Sequence, residues 1–505
     1  MGKCGGQNKR RTVSHICQVR LPPHVTIPAC LWWLLTALAL LTCGAKVISC
    51  NDIQSSCEDQ EILPRNLVQE IQSYAPIVNK IIKAVVYGSE KNRTYEELAM
   101  FVDKFGSRFT GTSNLEKSID YLVHLLESED FDKVYTEPVA VPRWIRGKEG
   151  AQMRYPRLKK LPILGLGGSV GTGHKGVTAK VFVVDSFSEL QKYRHQLKGK
   201  IVVFNERYTS YEETVRYRLH GPSAAAKVGA VAALVRSVTP LSIASPHGGN
   251  TEYTRGVRKI PAAAITVEDA ELLKRLQERG ITPVVKLVMD AKFQTSTFSL
   301  NTVAEIKGHS FDDEVVIVGG HIDSWDVGQG AMDDGGGAFV SVQSLRVLRR
   351  LGLRPRRTVR CVLWTGEEMG YIGGKRYFEL HGEETMERVN IAMESDSGTF
   401  RPKGLGFTGR SEEAKCIIAE VLSLFRSINA SELTLGAETP DLTEWEKRGV
   451  PIASLSTHNE RYFYFHHTEG DTMTVEDPKN LDLCTALWAG VAYVLADLRD
   501  SLPRA

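Results

Sequence analysis

Four short apolar runs constrain this chain more than any other feature. "EVVIVGG" (314–320), "TVRCVLWT" (358–365), "VNIAMES" (389–395) and "VPIASLS" (450–456) are nearly continuous in apolar residues. Amphipathic segments such as "AFVSVQSLRVLRRL" and "EEAKCIIAEVLSLF" separate them. A strand that is apolar on both faces needs cover on both faces. Such strands alternating with helices predict an α/β domain with a mostly parallel central sheet flanked by helices. "LCTALWAGVAYVLADL", near the end, supplies one more helix to pack on that sheet.

In an open α/β sheet, ligands bind just beyond the carboxyl ends of the strands. Each apolar run here is followed by acids or histidines. His321 and Asp323 follow the first, with Asp333 and Asp334 after a glycine-rich loop. Glu367 and Glu368 follow the second, Asp396 the third, and His466 and His467 come one short segment after the fourth. Each group alone has an ordinary explanation. Asp-Asp before three glycines suits a turn, and Glu-Glu after a strand suits a helix start. Asp396 could cap its own segment, and a His pair beside aromatics could simply be packed. Four such accidents at one edge of one sheet are less economical than a metal site. Two imidazoles among several carboxylates suit zinc, cobalt or manganese better than calcium, which prefers oxygen ligands. An acid-rich set with a carboxylate to share is typical of paired metals.

At 505 residues the chain exceeds one ordinary hydrophobic core, so two domains are expected. A net charge of +3 gives no electrostatic reason to expect nucleic acid as a partner. Residues 1–45 read as a secretory signal peptide: a basic leader, then "ACLWWLLTALALLTCGA" ending in small residues. Pro28 interrupts the uncharged stretch, which favours cleavage near Ala45 over an anchor and leaves no stable membrane span. Asn92 and Asn429 open N-glycosylation triplets. Cys50 and Cys57 are placed to close a small loop, whereas Cys361, Cys416 and Cys484 are spaced like core residues.

Residues 46–137 read as helical, including a segment opening at Ser113 with a glutamate three residues on. Residues 138–296 change character. "TAKVFVV", "GKIVVF", "VAALV" and "PVVKLVM" alternate with brief helical pieces, predicting a compact α+β or β-barrel insert with its own core. "GLGGSVG" (165–171) misses the nucleotide-binding glycine spacing and no helix follows, so it reads as a loop. Residues 297–505 complete the α/β domain.

"GGHIDSWDVGQGAMDDGGGAF", "LWTGEEMG", "MESDSGTF" and "FHHTEGDTMTV" resemble, in order and spacing, the di-zinc exopeptidases related to bacterial leucyl aminopeptidases and glutamate carboxypeptidases. The resemblance runs from about Val86 to the C-terminus. It implies two zinc ions per chain, with His321 and Asp396 as terminal ligands and Asp333 bridging. Glu368 and His467 complete the set, Glu367 is the general base, and Asp323 accepts a hydrogen bond from His321. It also implies hydrolysis of small peptides, especially dipeptides with free termini. Further implications are a protease-associated domain for the β-rich insert, a removable propeptide at the start of residues 46–137, a homodimer, and a secreted or lysosomal location. "GAETPDLTEW", which contains Asp441, and "STHNERYFYF" depart from the family's pattern, so chemistry is better indicated than specificity. Two other readings compete: a single-zinc acyltransferase of the glutaminyl cyclase type, and a non-catalytic receptor-like ectodomain. Retention of all five ligand positions and of Glu367 argues against both.

Overall fold

A computed structural model of the chain describes residue 57 and residues 62–504. The leader and Cys50 lie outside the described residues. Strand β1 (Lys133–Ile145) begins one sheet, and the chain then leaves it to build another. The second sheet takes β2 (Glu149–Tyr155), β3 (Lys159–Leu161), β4 (Ile163–Gly165), β5 (Val177–Val184), β6 (Ile201–Phe204), β7 (Ala232–Arg236), β8 (Ala262–Ile265) and β9 (Val284–Met289). The chain returns through β10 (Lys292–Ile306). It completes the first sheet with β11 (Phe311–His321), β12 (Arg357–Trp364), β13 (Val389–Glu394), β14 (Pro402–Thr408), β15 (Glu432–Leu435) and β16 (Ile452–Thr457).

The first sheet runs β1-β10-β12-β11-β13-β16-β14-β15. Its centre, β12-β11-β13-β16, is parallel. β10 joins β12 antiparallel on one side, and β14 joins β16 antiparallel on the other. The sheet is therefore mixed at its margins and parallel where it matters for a site. The continuous apolar runs have a direct cause. Val316 and Val318 pack toward the helices Gly336–Arg350 and Pro478–Asp497, while Val315 and Ile317 pack toward Tyr377 and Trp445 on the other face. Both faces are covered, so neither alternates with polar residues.

The helical reading of the N-terminal part corresponds to Arg65–Ser73, Ala75–Ile82, Arg93–Phe105 and Ser113–Glu127. The last is capped one residue earlier than its sequence suggests: Thr112, not Ser113, accepts the Leu115 N–H. Cys57 does not close a small loop with Cys50. It is bonded to Cys416, 359 residues away on the helix Glu412–Ser423, with the two Cα atoms 5.9 Å apart. Sequence proximity misled there, because a disulfide needs spatial rather than sequential nearness. Cys361 and Cys484 are free and buried.

β1 and β10 pair antiparallel along their lengths, and the first half of β10 is exposed while its second half is buried in the sheet. They form a ribbon that carries the second sheet. That sheet runs β3-β2-β9-β5-β6-β7-β8-β4, parallel from β5 to β8, with helices Phe187–Lys192, Tyr211–Lys227 and Val267–Glu278 in the same stretch of chain. Residues 138 and 296 both fall within this ribbon rather than at its ends. Among the described residues, no helix is long and apolar enough to cross a membrane. Asn429 is exposed on a left-handed turn, whereas Asn92 is half-buried, its N–H held by Asp482.

Candidate active site

The parallel strands of the first sheet deliver His321, Thr365–Glu368 and Asp396 to a single edge, and the loop after β16 brings His466 and His467 to it. His321 ends β11 and is fully buried. Its Nδ1 faces the Asp323 main-chain carbonyl at 2.9 Å. A carbonyl only accepts, so Nδ1 carries a proton, and Nε2 offers a lone pair whenever the ring is neutral. That nitrogen lies 3.3 Å from both Asp333 Oδ1 and Asp396 Oδ1, and 3.9 Å from Glu367 Oε2. His467 mirrors it. Its Nδ1 faces the Gly248 carbonyl at 3.4 Å, and its Nε2 lies 3.3 Å from Asp333 Oδ2 and 3.2 Å from Glu368 Oε2.

One carboxylate, Asp333, thus stands between two imidazoles, and each imidazole has a second carboxylate of its own. His321 Nε2, Asp333 Oδ2 and Glu368 Oε1 are buried without a hydrogen-bond partner. Burial alone would lower the His321 pKa, but Asp396 and Glu367 outweigh it and hold it well above the ordinary value. Burial does lower His467, so a neutral ring there points a lone pair at two carboxylates. Burial and the neighbouring acids raise Glu367 and Glu368 well above ordinary carboxylates. Without a cation the site holds protons on His321 and among its acids; a bound cation would take their place between the imidazole nitrogens and the carboxylates. The residues fit zinc.

Other groupings bring His466 with Asp333 and His467, His321 with Asp333 and Glu368, or His321 with Asp334 and Asp396. Asp334 has other work: its oxygens accept the N–H groups of His321 and Gly337, both at 3.1 Å. His466 Nε2 is 3.7 Å from Asp333 and its ring stacks on His467 at 3.5 Å, so it backs the nearer imidazole. A cis peptide joins Asp333 and Asp334. The glycines after them answer to crowding, since a Cβ at Gly337 would fall on the Ser395 carbonyl oxygen.

Asp323 meets His321 through its main chain rather than its carboxylate. The acceptor for His321 Nδ1 is its main-chain carbonyl, while its carboxylate lies 3.7 Å from that nitrogen. The carboxylate instead accepts from Thr110 Oγ1 at 2.6 Å and from the Glu367 N–H at 3.1 Å. It positions Glu367 rather than the imidazole.

Several supporting residues were not evident in the sequence. Asp471 accepts from the N–H groups of Ala331, Met332 and Asp333 at 2.8–3.2 Å, clamping the loop that carries Asp333. Burial, and the charge of Asp333 beside it, push the Asp471 pKa up to about 7. The buried Arg108 guanidinium holds the carbonyls of Ile322, Gln329 and Gly330. Asp441 and Glu394 form a buried acid pair behind Glu367, and burial raises Asp441 to about 8. The second sheet contributes too. Asn250 donates to the Glu368 carbonyl, and Tyr211 packs edge-on against His466 at 5.3 Å. Trp325 leans on His467 at 5.2 Å and lines a small cavity with Asp333 and Glu368.

Comparison with known proteins agrees with this geometry. Residues 301–492 match the model for peptidase family M28. The chain is 52% identical over 435 residues to carboxypeptidase Q of Xenopus laevis, covering 86% of this chain and 92% of that protein. Its fold superposes on the structure of a peptidase M28 precursor from Shewanella amazonensis with a TM-score of 0.81 at 31% identity, covering 86% of this chain and 99% of that one. A zinc aminopeptidase from Bacillus subtilis shares the fold at 19% identity, with a TM-score of 0.62 over 82% of this chain and 97% of that one.

Proposed function

Because the chain belongs to the carboxypeptidase Q group of peptidase family M28, and is thereby a zinc metallo-exopeptidase, we propose that it hydrolyses dipeptides with free termini at two zinc ions. His321 and Asp396 would hold one ion, His467 and Glu368 the other, and Asp333 both. Bound zinc supplies positive charge that acidifies water and offsets negative charge developing on the scissile carbonyl oxygen. The other work belongs to the chain's own groups. Glu367, whose carboxylate approaches His321 within 3.9 Å, accepts a proton from the attacking water and delivers it to the leaving amine. Its raised pKa, from burial and from Asp396 and Glu368, suits a group that must both take and return a proton. Asp323 and Thr110 hold the Glu367 segment in place.

The single observation that carries this reading is the Asp333 carboxylate, 3.3 Å from the Nε2 atoms of both His321 and His467. The test is dipeptide turnover by purified protein, with metal content measured on the same sample and Glu367→Gln beside it. About two zinc ions per chain are expected, with kcat reduced roughly 10²–10⁴-fold in the variant and metal retained. One zinc per chain at full activity would remove the two-metal reading. Undiminished turnover by the variant would remove Glu367 as the base.

A further inference from the structure

The second sheet is covered unequally. On one side helix Val267–Glu278 packs against a core that includes Met153, Val181, Val285 and Leu287. On the other, helices Phe187–Lys192 and Tyr211–Lys227 share a core with β5 to β8 that takes in no residue of β2, β3 or β9. The outer side of those three strands meets water: Val284 and Val288 are only half-buried there, and Tyr155, opposite Val284, is 55% exposed.

Alternation along a strand decides which side chains stand on that side. Lys160 on β3 is opposite Gln152 on β2, Gln152 is opposite Lys286 on β9, and Lys286 is opposite Thr178 on β5. Lys180 stands two residues beyond Thr178, on the same side. Lys200 precedes Ile201, the partner of Val181, and so lies beside Lys180. Its ammonium sits 4.9 Å from the ring centre of Phe182, which shares the Lys180 side of β5. The four lysines form a row from β3 to the start of β6, about 19 Å at the usual strand spacing.

Nothing nearby neutralises this row. The one acid in β2, β3, β5 and β9 is Glu149, which turns inward to accept the Gly165 N–H. Lys159 also turns inward and pairs with Asp269 at 2.7 Å, whereas among the described residues no ion pair includes Lys160, Lys180, Lys200 or Lys286. Like charges side by side on a sheet repel. Burial, and the charge of Lys180, lower the Lys200 pKa accordingly. A second copy of this chain docked face to face would set lysine against lysine. An anionic partner would relieve the repulsion instead. The row is one lysine wide, and the side chains between its cations are Gln152 and Thr178, which exchange hydrogen bonds with hydroxyl groups. A line of cations interspersed with an amide and a hydroxyl matches a linear chain of hydroxylated sugars bearing anionic groups.

We propose that the outer face of β3, β2, β9 and β5 docks a linear sulfated polysaccharide along the row Lys160, Lys286, Lys180 and Lys200. The row contributes nothing to the proposed metal ligands or to Glu367, so docking localises the protein without altering its chemistry. The inference stands apart from the dipeptide reading.

The experiment measures the affinity of purified protein for heparin at low and rising salt. One variant combines Lys160→Gln, Lys180→Gln and Lys286→Gln. A second removes the same charge elsewhere, at the exposed Lys117, Lys227 and Lys479, each changed to Gln. The row variant is expected to bind about 10–100-fold more weakly, the scale of losing three exposed ion pairs. The second variant should bind as wild type does, and the melting temperatures of all three should agree. Chemically desulfated heparin should bind wild type as weakly as heparin binds the row variant. If the triple substitution lowers the melting temperature, Lys180→Glu alone replaces it and should weaken binding at least 10-fold. Equal losses in the two triple variants would reduce the effect to net charge and overturn the proposal. So would undiminished binding by the row variant, or no heparin binding by wild type. Tighter binding to phosphatidylserine vesicles or to single-stranded DNA than to heparin would overturn it too, by naming another partner.

Discussion

Asp471 touches neither terminal imidazole, yet Asp333 has its orientation because Asp471 holds the three N–H groups leading up to it. Replacing it with alanine strands those donors in the interior. Asp471→Ala is expected to lose about 3 kcal/mol of stability in urea unfolding of the metal-free protein. It should also bind zinc more weakly in a chelator competition. An unchanged midpoint would mean that water replaces the carboxylate at no cost. Residues such as this mark the limit of what one-dimensional reading reveals. His321, Asp333, Glu367, Glu368, Asp396 and His467 were legible because strand ends concentrate them. Asp471 lay in plain view in "FHHTEGDT", but in a turn an aspartate has too many ordinary uses. Arg108, a lone arginine in "FGSRFTG", had no pattern to betray it. For Asp323 the spacing left one point open: a His-x-Asp pair does not say whether side chain or main chain meets the imidazole.

At the scale of elements, the parallel centre of the sheet was readable because four two-faced apolar strands admit few other packings. The limits of the insert were not. β10 is exposed in its first half, so its composition turns polar before the chain leaves the ribbon. Nor could composition show that the insert reaches into the site through Gly248 and Asn250. Asn250 donates to the carbonyl of Glu368, a contact between sheets that settles where one proposed ligand stands. Outer partners of metal ligands commonly affect affinity 10–100-fold. Asn250→Ala should weaken zinc binding by about that factor, read by competition with a chelator, while the melting temperature of the metal-free protein stays nearly constant. Unaltered affinity would reduce the insert to a wall.

The whole molecule carries buried acids away from the proposed ligands as well. Burial raises Glu476 to about 8 and Asp482 to about 6. The sign follows from proton uptake: between the unfolded carboxylate range near pH 4 and these raised values, the folded chain binds more protons than the unfolded one. Stability should therefore fall as pH rises from about 4.5 to 8, and level off above. The metal-free protein is expected to melt at a lower temperature at pH 8 than at pH 5, and Glu476→Gln should flatten that slope. A slope identical in the variant would mean that Glu476 ionises freely. Long-range ties also run through the disulfide, which joins Cys57 to Cys416 across most of the described chain.

The Gly248 carbonyl that faces His467 gives the assembly a temporal meaning. The first candidate ligand in the sequence, His321, and the last, His467, are separated by much of the peptidase sheet, and the oxygen that sets the last one comes from the loop between β7 and β8 of the other sheet. No fragment of the growing polypeptide contains a working blade. The candidate ligand set is complete only once His467 has been made and the stretch holding Gly248 has folded beside it, so the growing chain acquires its chemistry late and all at once.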